Sequence, residues 1–207
     1  MTHTQTRVVV FDFGNVVARF SHRRAAEALA SHGQDVDATA VQAFCFGSVL
    51  DDTFERGHMD PADFRTRVRH AFGITCSDTA FDKAFADIFE PIHDVIALVR
   101  NLSAATPLAL LSNTTPIHSQ WFLERMAADL QPFGTLVMSH DTGHRKPEPG
   151  IFAYVERHTG HPANAHILVD DLAANVAGAC AAGWDGIVFT EGMDLAGELR
   201  RLGVVVK

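Results

Sequence analysis

Polar side chains stand where apolar runs stop, and their types suit phosphoryl transfer. Asp12 interrupts "VVVFDFGNVV", Ser112 and Asn113 end "LALLSN", Lys146 lies in "RKPEPGIF" ahead of a helical stretch, and Asp170 with Asp171 ends "HILVDD". A carboxylate attacking phosphorus meets another anion, so the phosphate charge must first be neutralised. Mg²⁺ does this when held by one or two carboxylates, a backbone carbonyl and waters. Asp12 and Asp171 suit such an ion together with the backbone of Gly14, and Asp170 would act through water or support the ligands. Ser112 and the backbone N–H groups of Phe13, Gly14 and Asn113 can donate to phosphate oxygens, while Lys146 can hold nucleophile and phosphate together. Each signal alone has a plain reading. Asp12 can be a turn residue bonding its own backbone with Gly14 at positive φ, Ser112 and the aspartates can cap helices, and a lysine before proline is commonly solvated. Their collection at the strand ends of one sheet is what favours chemistry.

The elements that must collect them are legible as rhythm. Val8 to Phe11 reads as a buried strand of an α/β sheet, apolar on both faces. From Ile92 onward helix and strand alternate: "IHDVIALVRNL", "PLALLSN", "PIHSQWFLERMAADL", "GTLVMSH", "EPGIFAYVERHTG", "AHILVDD", "LAANVAGACAAG", "DGIVFT" and "DLAGELRRL". That alternation implies βαβ units and a mostly parallel, Rossmann-like sheet, with ligands expected just outside the carboxyl ends of the strands. Between them, "HRRAAEALASHG", "DATAVQAFCFGSV", "DPADFRTRVRHAFG" and "SDTAFDKAFADIF" each carry apolar residues at helical spacing, so an all-helical insertion is expected. Asp60 before Pro61, and Ser77 or Asp78, are expected N-caps; Gly33 and Gly73 are expected to end helices. The reading is a core of residues 1–18 and 92–207 with a helical cap of residues 19–91.

Composition narrows the function classes. A chain of 207 residues with 47% hydrophobic residues can bury a sizeable core. With 17 Lys and Arg against 25 Asp and Glu it is acidic and shows no basic run, which argues against nucleic acid as a partner. Cys45, Cys76 and Cys180 are odd in number and widely separated, as expected of buried free thiols in a reducing compartment. The start, "MTHTQTR", lacks a basic-then-apolar targeting pattern, and no apolar run approaches membrane-spanning length, so a cytoplasmic protein with no membrane partner is expected. The sequence sets no oligomeric state.

Taken in order, "VVVFDFGNVV", "LALLSNT", "RKPEPGIF" and "HILVDDLAANVAGACAAGWDGIVF" resemble the motifs of the haloacid dehalogenase-like hydrolase superfamily over nearly the whole chain. The resemblance implies a Rossmann-like core with a helical cap after the first strand, and a Mg²⁺-dependent phosphatase working through an aspartyl-phosphate. Carried over, it makes Asp12 the nucleophile, Ser112 and Lys146 the phosphate binders, Asp171 with Asp170 the metal site, and Asn175 the residue that orients the acidic loop. The D-x-G-N-V turn looks like a subgroup that includes sugar-phosphate phosphatases resembling glucose-1-phosphate phosphatase. The expected substrate is a small phosphorylated metabolite.

One departure stands out. The resemblance implies a second Asp two residues after the nucleophile, serving as general acid and then base, and here that position is Gly14. The following "ARFSH" holds no carboxylate. A substrate with a good leaving group would tolerate the loss of general acid catalysis worth roughly 10²–10⁴-fold. Alternatively His22 or His58 supplies the proton, or the protein is not a phosphatase. The rivals are a hydrolytic 2-haloacid dehalogenase, whose resemblance implies a metal-free site at odds with "VDD", and a non-catalytic phosphometabolite-binding protein. The pairs His140/His144 and His158/His161 lack Cys partners and make a thin case for zinc. Trp121, Phe122 and Trp184 are expected to pack. Phe44, Phe46, Phe54 and Phe64 either line a pocket or hold the inserted helices together, and Arg23 with Arg24 is expected at a solvated helix start.

Overall fold

The computed structural model describes residues 6–102 and 106–206. Residues 1–5, part of the stretch read above for a targeting signal, lie outside the described residues. Along the chain run β1 (Val8–Phe11), β2 (Ala18–Phe20), α1 (His22–Ala30), α2 (Ala38–Cys45), α3 (Val49–Glu55), α4 (Pro61–Phe72), α5 (Asp78–Ala86), β3 (Phe89–Pro91), α6 (His93–Asn101) and β4 (Leu108–Ser112). There follow α7 (Pro116–Arg125), α8 (Ala127–Leu130), β5 (Thr135–Met138), α9 (Ser139–Thr142), α10 (Pro149–Thr159), β6 (His166–Asp170), α11 (Ala173–Ala181), β7 (Asp185–Val188) and α12 (Leu195–Arg201).

The α/β architecture expected from the alternation is present: five parallel strands form one sheet in the order β5-β4-β1-β6-β7. β1 is central and its four residues are fully buried, because both faces are covered. Val9 and Phe11 join a core with Ile96 and Val99 of α6, Phe122 of α7 and Leu199 of α12. Val8 and Val10 face the opposite way, onto Ile151, Phe152 and Val155 of α10 and Ala179 of α11. Register brings the polar strand ends together: Phe11 pairs with Leu110 on one side and Val169 on the other. The chain leaves β1 towards β4 and β5, then returns to β6 on the other side. The crevice at the β1/β6 switch point is therefore the natural ligand position, and Asp12 and Asp170 flank it.

Helices α1 to α5 wrap a second apolar core, in which Phe54 stacks on Phe64 at 4.4 Å between ring centroids and Phe64 meets Phe85 at 4.9 Å. The expectation of an all-helical insertion needs correction. Its two ends, β2 and β3, pair antiparallel, with Arg19 opposite Glu90 and Phe20 opposite Phe89. Three-residue strands are too short to show a period-2 pattern. The stretch 37–49 is also not one helix: α2 stops at Cys45, Phe46 is extended, and Ser48 caps α3 by accepting the Asp51 N–H. Asp60 and Ser77 cap α4 and α5, and Gly73 ends α4 with φ of 62°. Gly33 is not a cap, since Ser31 already ends α1. Nor are all three thiols buried: Cys45 is, Cys76 is half-buried and Cys180 is exposed. No helix among the described residues is long and apolar enough to cross a membrane.

The end of α3 is fastened to the sheet domain. The Ser139 hydroxyl donates to the Glu55 carbonyl at 2.6 Å, and its oxygen accepts the Thr114 N–H at 2.9 Å. Arg56 pairs with Glu148, Nη1 to Oε2 at 3.0 Å, and with Asp52 on its own helix. Gly57, which follows, has φ of +70°, and a Cβ there would run into the His140 carbonyl oxygen. Gly57→Ala therefore combines a left-handed backbone on an L-residue with a backbone collision. It is expected to cost ~2 kcal/mol and to lower Tm by about 4–8 °C for a chain of this size. Thermal unfolding followed by circular dichroism checks this.

Candidate active site

The turn after β1 is built so that Asp12 faces the crevice. Its N–H continues the sheet by donating to Val169 at 2.8 Å, and its Oδ1 accepts the Phe13 N–H at 2.7 Å. The residue at positive φ is Asn15, at 55°, rather than Gly14. Asparagine tolerates the left-handed region better than most residues, and here its amide donates to Asp171 Oδ2 at 3.0 Å. Gly14 is favoured for a different reason: a Cβ there would lie 2.8 Å from Cε1 of Phe20, so the ring would have to move.

Lys146 is the centre of the charge arrangement. Only 4% exposed, it sits with Nζ 2.7 Å from Asp12 Oδ1, 2.7 Å from Asp170 Oδ2 and 2.9 Å from the Leu111 carbonyl. Burial works against the ammonium, but Asp12 and Asp170 outweigh it and hold Lys146 above its ordinary pKa. The backbone of Lys146 is pinned by Asn113, whose amide donates to its carbonyl at 3.0 Å and accepts its N–H at 2.8 Å. Asp170 is saturated: Asn175 donates to both of its oxygens, at 3.0 and 3.1 Å, and the Leu172 N–H donates to Oδ1 at 2.9 Å. Burial pushes Asp12 up to about 7; Lys146 opposes the rise, and Asp170 and Asp171 add to it.

Asp12, Asp170 and Asp171 each offer a carboxylate oxygen, and these atoms lie within 4.8 Å of one another. The donor set is all hard oxygen, with three carboxylates against a single ammonium, which fits Mg²⁺ and not a soft thiophilic ion. Because both oxygens of Asp170 already accept two hydrogen bonds each, Asp171 and Asp12 have the more available oxygens.

The cluster opens into a cavity of about 230 Å³. Asp12, Ser112, Asn113, Lys146, Asp171 and Asn175 all line it, as do Phe13 and Gly14, so the residues singled out in the sequence converge except that Asp170 lies just behind, fully buried. The inserted segment, with His118 of α7 and Arg145 of the loop before Lys146, supplies most of the rest. One side is apolar, with Phe20, His22, Phe46, Ile88, Phe89 and His118; the other carries Asp51, Glu55 and Arg145. His22 stacks on Phe46 at 4.0 Å, and burial pushes it down to about 4. His118 Nε2 donates to the Phe85 carbonyl at 3.1 Å, and burial pushes its pKa down to about 3.

Several sequence candidates lie elsewhere. His58 is exposed and outside the cavity, so it is no proton donor to it. Phe54 and Phe64 are fully buried in the inserted core and Phe44 packs edge-on against Phe72, leaving Phe46 as the one of the four that lines the cavity. Arg23 and Arg24 pair with Glu27 and Glu90. His140 bonds Ser119 at 2.9 Å and His158 bonds the Tyr154 carbonyl at 2.8 Å, so neither belongs to a cluster of metal ligands among the described residues. Trp121 lies under the Arg125 guanidinium and Trp184 stacks on His166. Among the wall residues not singled out in the sequence are Asn15, Phe20, Asp51, Glu55, His118 and Arg145. The spacing of Asp51 and Glu55, four apart in a capped helix, puts both on one face of α3 but does not say which way that face turns.

A family model for haloacid dehalogenase-like hydrolases matches residues 6–183. Among curated relatives, the D-ribitol-5-phosphate phosphatase of Bacteroides thetaiotaomicron is 23% identical over 81% of this chain and 84% of its own length. The sesquiterpene phosphatase astK of Aspergillus oryzae is 23% identical over 96% of this chain and 97% of its own. Among solved structures, a haloacid dehalogenase family enzyme of B. thetaiotaomicron, in complex with magnesium and inorganic phosphate, superposes with a TM-score of 0.80 at 23% identity, covering 94% of this chain and 100% of that one.

Proposed function

The chain belongs to the haloacid dehalogenase-like hydrolases, and on that premise we propose that it is a Mg²⁺-dependent phosphomonoester hydrolase acting through an aspartyl-phosphate on Asp12. The observation that carries the reading is Lys146, buried between Asp12 and Asp170 at 2.7 Å from each, beside a third carboxylate. In this reading residues 1–18 and 92–207 form the core and 19–91 a cap that selects the leaving group. Three free cysteines and the acidic balance support a cytoplasmic setting.

Asp12, Asp171 and the Gly14 carbonyl would hold the ion, with Asp170 supporting them. When bound, Mg²⁺ supplies positive charge that lets two anions approach and stabilises charge on the phosphoryl oxygens. Asp12 presents its carboxylate at the strand end. Lys146 fixes that carboxylate through Oδ1, leaving Oδ2 for attack, and brings a positive charge to the transferring phosphoryl group. Ser112 and the Asn113 N–H donate to phosphate oxygens. Asn175 and the Leu172 N–H hold Asp170 so that it in turn holds Lys146, and Asn15 orients Asp171.

The substrate is a small phosphorylated metabolite. The D-x-G-N-V turn and the ribitol-5-phosphate phosphatase relative support a sugar or sugar-alcohol phosphate. Hydrolysis of p-nitrophenyl phosphate and of D-ribitol 5-phosphate is expected to be lost in EDTA and restored by Mg²⁺, and Asp171→Asn is expected to raise the Mg²⁺ concentration needed by 10-fold or more, an estimate from the loss of one charged ligand. Halide release from 2-haloacids in EDTA, with no phosphatase activity, would replace this reading with a dehalogenase.

A further inference from the structure

With Gly14 in the place where the resemblance implies an acid, the turn after β1 holds no source for the leaving-group proton of an aspartyl-phosphate route. The space at Gly14 is taken: the Phe20 ring stands 2.8 Å from where a Cβ would be. A donor must come from elsewhere in the cavity wall. Apart from the acid cluster and the Lys146 ammonium held between Asp12 and Asp170, the wall holds the titratable groups His22, His118, Asp51, Glu55 and Arg145. His118 is buried and His22 half-buried, each stacked on an aromatic ring, and loss of solvation pushes them down to about 3 and about 4, so neither carries a proton to give at pH 7. Arginine does not release its proton. That leaves the carboxyl groups of Asp51 and Glu55, one helical turn apart on α3.

The two are not equivalent. Asp51 is tied locally, its Oδ2 accepting the Gly47 N–H at 2.8 Å. Glu55 is held in place from the core, its carbonyl by Ser139 and its Oε2 at 2.6 Å from Arg145 Nη2, an ion pair that lacks hydrogen-bond geometry, so that buried oxygen has no hydrogen-bond partner. Its side chain is 15% exposed, into the cavity that Asp12 and Lys146 also line. The charges facing it are Asp51 and Asp52 from its own helix and Arg145 and Lys146 from the core loop. It also ends α3, where the helix dipole disfavours a carboxylate.

We infer that Glu55 is the general acid and base of this enzyme, reaching into the site from the inserted helices in place of a carboxylate at position 14. This rests on the aspartyl-phosphate reading. As Asp12 Oδ2 forms its bond to phosphorus, the bond from phosphorus to the leaving oxygen breaks, that oxygen keeps the electron pair, and the Glu55 proton joins it to give the alcohol. The Glu55 carboxylate then takes a proton from water as the water oxygen attacks phosphorus. The bond from phosphorus to Asp12 breaks, its electrons return to the Asp12 carboxylate, and inorganic phosphate leaves with Glu55 protonated again. Supporting this, burial pushes Glu55 up to about 7, with Asp51 adding to the rise and Arg145 opposing it, which suits a group that must give and regain a proton at neutral pH.

The test compares p-nitrophenyl phosphate, whose leaving group needs little protonation, with phenyl phosphate, whose phenol has a pKa of ~10. Glu55→Gln is expected to lower kcat/KM on phenyl phosphate by ~10²–10³-fold but on p-nitrophenyl phosphate by under ~5-fold, and to abolish the basic limb of the phenyl phosphate pH profile. A second measurement needs no variant. In the wild-type enzyme the ratio of phenyl to p-nitrophenyl activity should fall as pH rises through about 7, since substrate ionisation affects both alike. Equal losses on the two substrates, a pH-independent ratio, or steepened leaving-group dependence in Asp51→Asn instead would overturn the inference. Activity surviving in Asp12→Asn would overturn the aspartyl-phosphate reading, an outcome read independently of the leaving-group ratio.

Discussion

Asp12→Asn is expected to lower kcat by about 10⁴-fold or more on every phosphomonoester, while leaving Tm unchanged or raised. The catalytic half follows from removing the attacking group. An amide at this position cannot form the phosphoryl ester, and losses of this order attend removal of a nucleophile. The stability half follows from linkage. Asp12 has its pKa raised from 3.8 to about 7 in the folded protein, so the native state holds a proton that the unfolded chain has released. A group raised in this way makes stability fall as pH rises between those values. Asparagine carries no such proton, so the Tm difference between variant and wild type should be near zero around pH 4 and grow in favour of the variant towards pH 8. The amide oxygen can still accept from the Phe13 N–H and from Lys146. Steady-state kinetics together with Tm measured at several pH values separate this from simple unfolding: a variant inactive because it is destabilised would show the opposite sign of ΔTm.

That prediction uses residues whose placement could be read in advance. An acid ending an apolar run marks the carboxyl edge of a strand, and once the run is recognised as parallel, register does the rest. Phe11 beside Leu110 and Val169 leaves Asp12 next to the ends carrying Ser112 and Asp170. Lys146 needed only a loop that returns to the same edge. The opposite wall of the cavity was not legible, for a different physical reason. Whether Asp51 and Glu55 point inward depends on the rotation of a seven-residue helix, and nothing within α3 decides it. It is decided by contacts distant in sequence: Ser139 on the Glu55 carbonyl, Arg56 on Glu148, and Arg145 on Asp52 and Glu55. The β2–β3 ribbon has the same cause. Its three-residue strands are held by pairing across the insertion rather than by a pattern of their own. Phe20, on that ribbon, is therefore both the ring that crowds the space beside Gly14 and a residue that no local motif would nominate.

Lys146→Met is the second large effect, and it tests whether the site is a charge cage or merely a pair of bonded side chains. Methionine fills nearly the same volume, so packing is preserved and the change is electrostatic. It leaves Asp12 and Asp170 buried at 8% and 0% exposure with their shared cation gone. Breaking a buried pair by removing one partner costs ~3–5 kcal/mol, or roughly 6–20 °C in Tm at this chain length. The pH dependence carries the sign. Losing Lys146 raises the folded pKa of Asp12 further above 3.8, since the lysine was the group lowering it. The stability deficit should then be greatest above neutral pH and shrink as the carboxyl takes up its proton on acidification. Activity should fall by ~10²–10³-fold even where the variant is folded, because a positive charge placed beside developing phosphoryl charge is lost with it. Lys146→Arg should not restore it: three oxygens converge on one nitrogen here, and a planar guanidinium cannot place a single point charge at 2.7 Å from both carboxylates within the same buried volume. A Lys146→Met protein whose Tm deficit is constant from pH 5 to pH 8 would show that the carboxylates do not depend on this cation.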